Sequence, residues 1–87
     1  MPYVEKKQRS NIINGHIPPE TPGELNYALS HVCREYMRKK HKRYSTFNDI
    51  IGALEAAKIE FYDRIVRPYE DKAIVRNGDI YDEKDLA

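Results

Sequence analysis

The densest cluster of like charge in the chain lies at residues 34–43, which hold six lysines and arginines. Tyr44 follows this run directly. Cations at this density can neutralise phosphate groups, and a tyrosine can stack on a nucleobase. The candidate anion-binding residues are Arg34, Arg38, Lys42, Arg43 and Tyr44. The simpler interpretation is a solvated helix end, because cations pair with the last carbonyls of a helix, and a net charge of +1 argues against a dedicated nucleic-acid binder.

Three polar residues interrupt the most apolar segment of the chain. Asn48, Glu55 and Lys58 fall within the apolar side of a predicted helix. If they are buried they need partners, and Glu55 and Lys58 at a spacing of three residues can form an ion pair. Such a network would set the register of an oligomer or line a small polar pocket, and the remaining alternative is simple exposure. Asn48 and Glu55 therefore join the candidate ligand-binding residues.

Histidine and cysteine are too poorly spaced to form a metal site. His31 and Cys33 are two residues apart and point to different sides of a helix, and the sequence offers neither a second cysteine nor two histidines four residues apart. We expect no metal and no cofactor, and Cys33 is expected to be a small core residue. Phosphate-binding loops, nucleophile elbows and interpretable Ser/His/Asp sets are also lacking, so the sequence predicts a protein without enzymatic activity.

The first of two main helices is predicted at about residues 22–41. Thr21 is the expected N-cap, Pro22 suits the first helical position, and Glu24 completes a capping box. Apolar residues then recur every three or four positions and are expected to face a core. This stripe consists of Leu25, Ala28, Leu29, Val32 and Tyr36.

The second main helix is predicted at about residues 46–67, with Ser45 or Thr46 as its cap. Placed about 100° apart, its apolar residues cover roughly 200° of arc, whereas packing against one partner needs a stripe somewhat wider than about 100°. The excess predicts a subunit interface and hence a homo-oligomer. The residues assigned to that interface are Ile59, Tyr62, Val66 and Tyr69.

Shorter segments flank the two main helices. Residues 1–20 read as an N-terminal arm with a short helix at about 5–14 that Gly15 ends. Pro68 should end or kink the second main helix and can start a short C-terminal helix with Gly78 after its last turn. A hairpin across residues 73–81 is the alternative, and we favour the helix because an isolated hairpin is marginal in water. Residues 79–87 form an acidic tail.

These elements predict an all-α fold, in which the two main helices run antiparallel within a single domain of 87 residues. The lone cysteine excludes an intrachain disulfide. A transmembrane run and a secretory leader are not evident, so we expect a cytoplasmic protein. Residues 1–43 carry nine basic and four acidic side chains, whereas residues 44–87 carry six and ten. A head-to-tail contact, within the fold or between protomers, would pair these opposite charges.

Several sequence blocks resemble a family of short proteins of no assigned activity encoded by bacteriophages and by bacteria that carry related elements. The blocks, together with the MPYV start, are TPGELNY at 21–27, YSTFNDIIGALE at 44–55, EFYDR at 60–64, PYEDK at 68–72 and NGDIY at 77–81. The resemblance covers most of residues 1–81. It implies the cytoplasm of an infected cell and an accessory role in phage development or in countering host defence.

Residues and resemblance together predict a non-enzymatic, homo-oligomeric helical binding module whose ligand is a small anion such as a nucleotide. One alternative is a DNA- or RNA-binding accessory protein that uses the basic run at 34–43. A second alternative is an inhibitor or scaffold that acts on a host protein.

Overall fold

The computed structural model describes residues 4–13 and 18–87, and this part of the chain is helical and contains no strand. The all-α prediction is therefore confirmed. The chain divides into two units, Met1–Ile50 and Ile51–Ala87, and the antiparallel arrangement and the single domain stay predictions. The elements are α1 (Lys6–Ile13), α2 (Pro22–Lys40), α3 (Tyr44–Phe61), a π-helical turn (Tyr62–Val66) and α4 (Arg67–Asn77).

In the first unit, α1 packs against α2. Ile12 of α1 is 9% exposed and is the only buried apolar side chain among the described residues. The guanidinium of Arg9 lies 5.5 Å from the centre of the Tyr27 ring, and that ring stacks on His31 at 6.4 Å. The helix predicted at 5–14 is thus present, whereas the predicted stop at Gly15 lies outside the described residues.

The start of α2 follows the predicted cap. The hydroxyl oxygen of Thr21 accepts a hydrogen bond from the backbone N–H of Glu24 at 3.1 Å, and Pro22 occupies the first helical turn. The Glu24 carboxylate accepts from the backbone N–H of Glu20 at 3.0 Å, one residue earlier than in a standard capping box. Both bonds satisfy backbone donors at the helix entrance, which fixes where α2 begins.

The predicted core-facing stripe of α2 is only partly correct. Leu25, Leu29 and Val32 are exposed, Val32 by 66%. Ala28 of the stripe is half-buried, as are Tyr27 and His31 on the adjoining side of α2. Cys33 is half-buried as well but points to a different side of the helix. Spacing alone identifies an apolar stripe, but the short α1 does not cover all of it, because eight residues make only about two helical turns.

Two predictions about the start of α3 are wrong. The helix begins at Tyr44 rather than at 46, and neither Ser45 nor Thr46 is its N-cap. Thr46 is instead 3% exposed, and its hydroxyl donates to the backbone carbonyl of Lys40 at 3.4 Å. The physical reason is that the last carbonyls of a helix lack intrahelical donors, so a hydroxyl from the next helix satisfies one of them.

Pro68 is predicted to end or kink the second main helix; the helix does not end there, and a π-helical turn directly precedes the proline. The backbone stays right-handed helical at Phe61, Val66 and Arg67, so residues 44–77 form one continuous helix. Proline lacks an N–H and its ring clashes with the carbonyl four residues earlier. The Arg67 N–H bonds to the carbonyl of Tyr62, five residues back, which widens the turn just before the proline. The second main helix therefore continues past 67 into α4.

The C-terminal helix ends at the predicted glycine. Gly78 has a φ of 88°, and its N–H donates to the carbonyl of Ile74 at 2.8 Å. A positive φ is readily adopted by glycine, which lacks a Cβ atom. The Asn77-Gly78 pair is thus a helix end, and the alternative hairpin across 73–81 is wrong.

Loss of the Thr21 cap should destabilise the first unit. We expect Thr21→Ala to lower the free energy of unfolding by about 0.5–2 kcal/mol, because the Glu24 amide loses its acceptor. Thermal unfolding at one fixed protein concentration measures the change. Thr21→Ser, which keeps the hydroxyl, is the control and should stay close to the parent. An unchanged midpoint for Thr21→Ala would mean that this cap does not support the helix.

Candidate functional site

The basic run falls at the junction between α2 and α3, where only residues 41–43 connect the two helices. His41 has a φ of 76° and a ψ of 159°. This region of backbone conformation is essentially reserved for glycine, and a residue with a side chain held there costs of order 1–3 kcal/mol. The junction therefore changes the chain direction by means of one strained residue.

The cations of the junction differ in their partners. Glu35 lies 3.8 Å from the Arg34 guanidinium and 3.9 Å from that of Arg38, so a single carboxylate serves both arginines. The ion pairs among the described residues include no cation from 39–43. The exposed cations that take part in none of these ion pairs are Lys39, Lys40, Lys42 and Arg43. Cations outside these pairs are therefore concentrated in the last turn of α2 and in the loop that follows it.

The first turn of α3 adds to this positive field. It holds no acidic residue, and the first amides of a helix have no intrahelical acceptor and point toward incoming negative charge. Tyr44, the first residue of α3, is 82% exposed beside the cations. The junction thus combines exposed cations, backbone donors and an accessible aromatic ring, which suits a phosphate-bearing ligand.

A hydrogen bond between side chains ties the two helices together next to the junction. The Tyr36 hydroxyl of α2 donates to a carboxylate oxygen of Asp49 in α3 at 3.0 Å. This bond to Asp49, then desolvation and the negative charge of Asp49, raises the pKa of Tyr36 above its ordinary value. The hydroxyl therefore carries its proton at neutral pH, as donation to Asp49 requires. With Thr46, it positions the start of α3 against the end of α2.

The predicted ligand residues belong to both units. Arg34, Arg38, Lys42, Arg43, Tyr44 and Asn48 belong to the first, and Asn48 is exposed on α3 one turn after Tyr44. Glu55 belongs to the second, where it pairs with Lys58 at 3.6 Å, as its spacing suggests. Both members of that pair are more than half exposed in this chain.

The second unit carries the predicted interface residues on its helix. Ile59, Tyr62 and Tyr69 are exposed and Val66 is half-buried. Further large apolar side chains on the same helix are exposed as well, and these are Ile51, Leu54, Phe61, Ile65, Ile74 and Val75. An apolar helix surface of this extent is typical of an interaction surface.

Metal binding finds no support within the described residues, which contain no cluster of three or more His, Cys, Asp or Glu side chains placed to hold an ion. His16 lies outside the described part. No helix in that part is sufficiently long and apolar to span a bilayer.

Three features of the junction escaped the sequence analysis. Glu35 was not identified as the shared partner of two arginines, although its position three residues before Arg38 carries the signal for one of the two pairs. The Tyr36–Asp49 bond joins residues 13 positions apart on different helices, which no periodicity reveals. The residue type of His41 likewise gives no indication of its strained backbone conformation.

Fold and site together define a small all-helical protein with a cationic helix junction and an exposed apolar helix surface. The chain belongs to the family described as Domain of unknown function (DUF6899), whose model matches residues 1–80. No curated protein and no solved structure matches the chain.

Relief of backbone strain at the junction should stabilise the protein. We expect His41→Gly to raise the free energy of unfolding by about 1 kcal/mol, because the removed strain exceeds the entropic cost of a new glycine. Denaturant unfolding at fixed protein concentration measures it. Lys42→Gly is the matched control. Among the described residues other than glycine, a positive φ occurs at His41 and not at Lys42. It should be neutral or destabilising, and equal gains from both variants would contradict strain at His41.

Proposed function

We propose that this protein is a non-enzymatic, homo-oligomeric helical binding module whose ligand is a small anion, such as a nucleotide. The observation that carries the ligand class is the cation cluster at 39–43, which lies outside the Glu35 ion pairs and directly precedes the first turn of α3. Cations that neighbouring carboxylates do not neutralise, next to free helix amides, favour phosphate over neutral ligands.

Arginine and lysine would have separate roles at this site. Arg43 offers a planar fork of donors that matches two phosphate oxygens, whereas Lys42 acts as a point charge. Tyr44 is exposed and can stack on a nucleobase. A nucleotide satisfies both the charge and the stacking requirement, while an inorganic anion satisfies only the first.

Homo-oligomer formation is supported by the apolar surface of the second unit. Leu54 is 38% exposed, Phe61 60% and Tyr69 65%. Each large apolar side chain contributes about 1.5–3 kcal/mol when it passes fully from water into a packed interior. Covering this surface with protein is therefore strongly favourable, and further copies of the chain are always available to cover it.

The biological setting of the proposal rests on the resemblance to phage-encoded proteins. A small binder in the cytoplasm of an infected cell can sequester a nucleotide signal and so counter host defence. This role needs affinity rather than catalysis, which agrees with a site made of cations and an aromatic ring.

Removing charge at the junction should abolish anion binding. We expect Lys42→Gln/Arg43→Gln to lose nucleotide binding, measured by calorimetry at physiological salt, because glutamine removes the charge. Helicity should stay close to the parent, because both residues lie in the loop between α2 and α3. Arg64→Gln/Arg76→Gln, with the same charge change in the second unit, is the matched control and should bind normally.

The same titrations separate the alternatives. Binding of labelled duplex that weakens steeply with salt would favour the nucleic-acid alternative. Undiminished nucleotide binding by the Lys42/Arg43 variant would contradict the junction as the site. A parent chain that binds neither nucleotide nor nucleic acid would favour the host-protein alternative.

A charge placed in the apolar surface should dissociate the oligomer. We expect the parent to sediment as a dimer or larger and Leu54→Glu to shift it toward monomer, because a buried unpaired carboxylate is costly. Ala53→Glu, on the next position round the helix, is the control and should leave the assembly intact. A concentration-independent monomer for the parent in analytical ultracentrifugation would refute homo-oligomer formation.

A further inference from the structure

The π-helical turn keeps the apolar side chains of the second unit on one side of the helix. Before the turn, Leu54 and Phe61 are seven residues apart. From Phe61 onward, Ile65 within the turn and Tyr69 and Ala73 after it follow at steps of four. Each step of four overshoots a full α-helical turn by about 40°, so these residues would drift around the axis. The extra residue in the π turn rotates the following part back by about 100°, which cancels most of that drift.

We call the resulting surface the apolar stripe. It consists of Ile51, Leu54, Phe61, Tyr62, Ile65, Val66, Tyr69 and Ala73. The other sides of the helix carry ion pairs, since Glu60 pairs with Arg64 at 3.6 Å and Arg67 with Asp71 at 4.0 Å. Ile59 and Val75 are exposed apolar side chains outside the stripe, so the stripe is the larger apolar surface but does not hold every apolar side chain of the helix.

Charge along this helix is arranged so that the helix complements a reversed copy of itself. Residues 51–63 hold three acidic side chains and one basic, whereas residues 64–77 hold two acidic and four basic. Two parallel copies would place like charges side by side. Two antiparallel copies place each negative half beside a positive half, and this favours the antiparallel arrangement.

Two charged residues within the stripe select the register. Taking about 100° per residue and one inserted residue in the π turn, Lys58 and Glu70 lie on the same flank of the stripe, close to Ile51. Antiparallel helices that pack face to face bring identical edges together, whereas parallel helices bring opposite edges together. The ion pairs of the described chain leave Glu70 out, while Lys58 reaches only Glu55. An antiparallel partner centred near Arg64 aligns Lys58 with the partner's Glu70, twice by symmetry.

We infer that the occupant of the apolar stripe is a second copy of this chain, packed antiparallel with Lys58 of each copy beside Glu70 of the other. The same register places Leu54 against the partner's Ala73 and Tyr62 against the partner's Ile65, so apolar contacts and charge pairs agree. This inference rests on the proposed homo-oligomer and specifies its orientation, register and symmetry.

Disulfide mapping tests the orientation. In a Cys33→Ala background, the variant Leu54→Cys/Ala73→Cys is oxidised mildly, and the linked peptides of the dimer are identified by mass spectrometry. We expect links between positions 54 and 73. They must join two chains, because 19 residues of one helix separate these positions by about 28 Å. Links of 54 to 54 and 73 to 73 would show parallel packing and overturn the inference while leaving the homo-oligomer intact. A parent chain that is monomeric would overturn both.

Charge reversal tests the register independently of engineered cysteines. Lys58→Glu and Glu70→Lys, each alone, should raise the dissociation constant of the dimer by about 5- to 50-fold, since two pairs become repulsive. The double variant should return to within about threefold of the parent, because the pairs are restored with exchanged signs. Lys72→Glu, outside the stripe, is the control for net charge and should change little. Additive losses in the double variant would overturn the proposed register.

Discussion

The structure depends on a shortage of buried apolar surface. Among the described residues only Ile12 is a buried apolar side chain, whereas large apolar groups on α2 and along residues 44–77 face water. Burial stabilises a fold by roughly 25 cal/mol per Å² of apolar surface removed from water. A chain of this size has few other sources of stability. The stability of the folded chain and the proposed assembly therefore depend on the same exposed apolar side chains.

Local interactions cannot replace that burial, but they decide where each helix begins, ends and bends. The ion pairs are exposed, and pairs of this kind contribute at most about 1 kcal/mol each. Three hydrogen bonds instead fix where α2 begins and how its end meets α3. They are the Thr21 cap, the Thr46 bond to Lys40 and the Tyr36–Asp49 bond. They hold the entrance of α2 and its junction with α3 in defined geometry, which places the cations of 39–43 beside free helix amides.

The π-helical turn before Pro68 connects local chemistry with assembly. Its immediate cause is local, because a proline cannot take part in the regular hydrogen-bond pattern. Its consequence reaches along the whole second unit, since the inserted residue decides which side chains after Phe61 share a side with those before it. Without that turn, the steps of four residues after Phe61 would carry Tyr69 and Ala73 away from Leu54. A helix-breaking residue thus keeps the apolar stripe continuous.

The sequence alone determined the elements whose causes lie within a few residues: the Thr21–Glu24 cap, the extent of α2, the Glu55–Lys58 pair and the end of α4 at Gly78. Capping, propensity and short-range pairing act along the chain, so residue types suffice to read them. Only the tertiary structure decided that the Thr46 hydroxyl bonds to the end of α2 instead of capping α3, that Leu25 and Val32 stay exposed, and that Tyr36 reaches Asp49. Each of these outcomes depends on which groups meet in space and on how much water they displace, and neither quantity is contained in the spacing of residues.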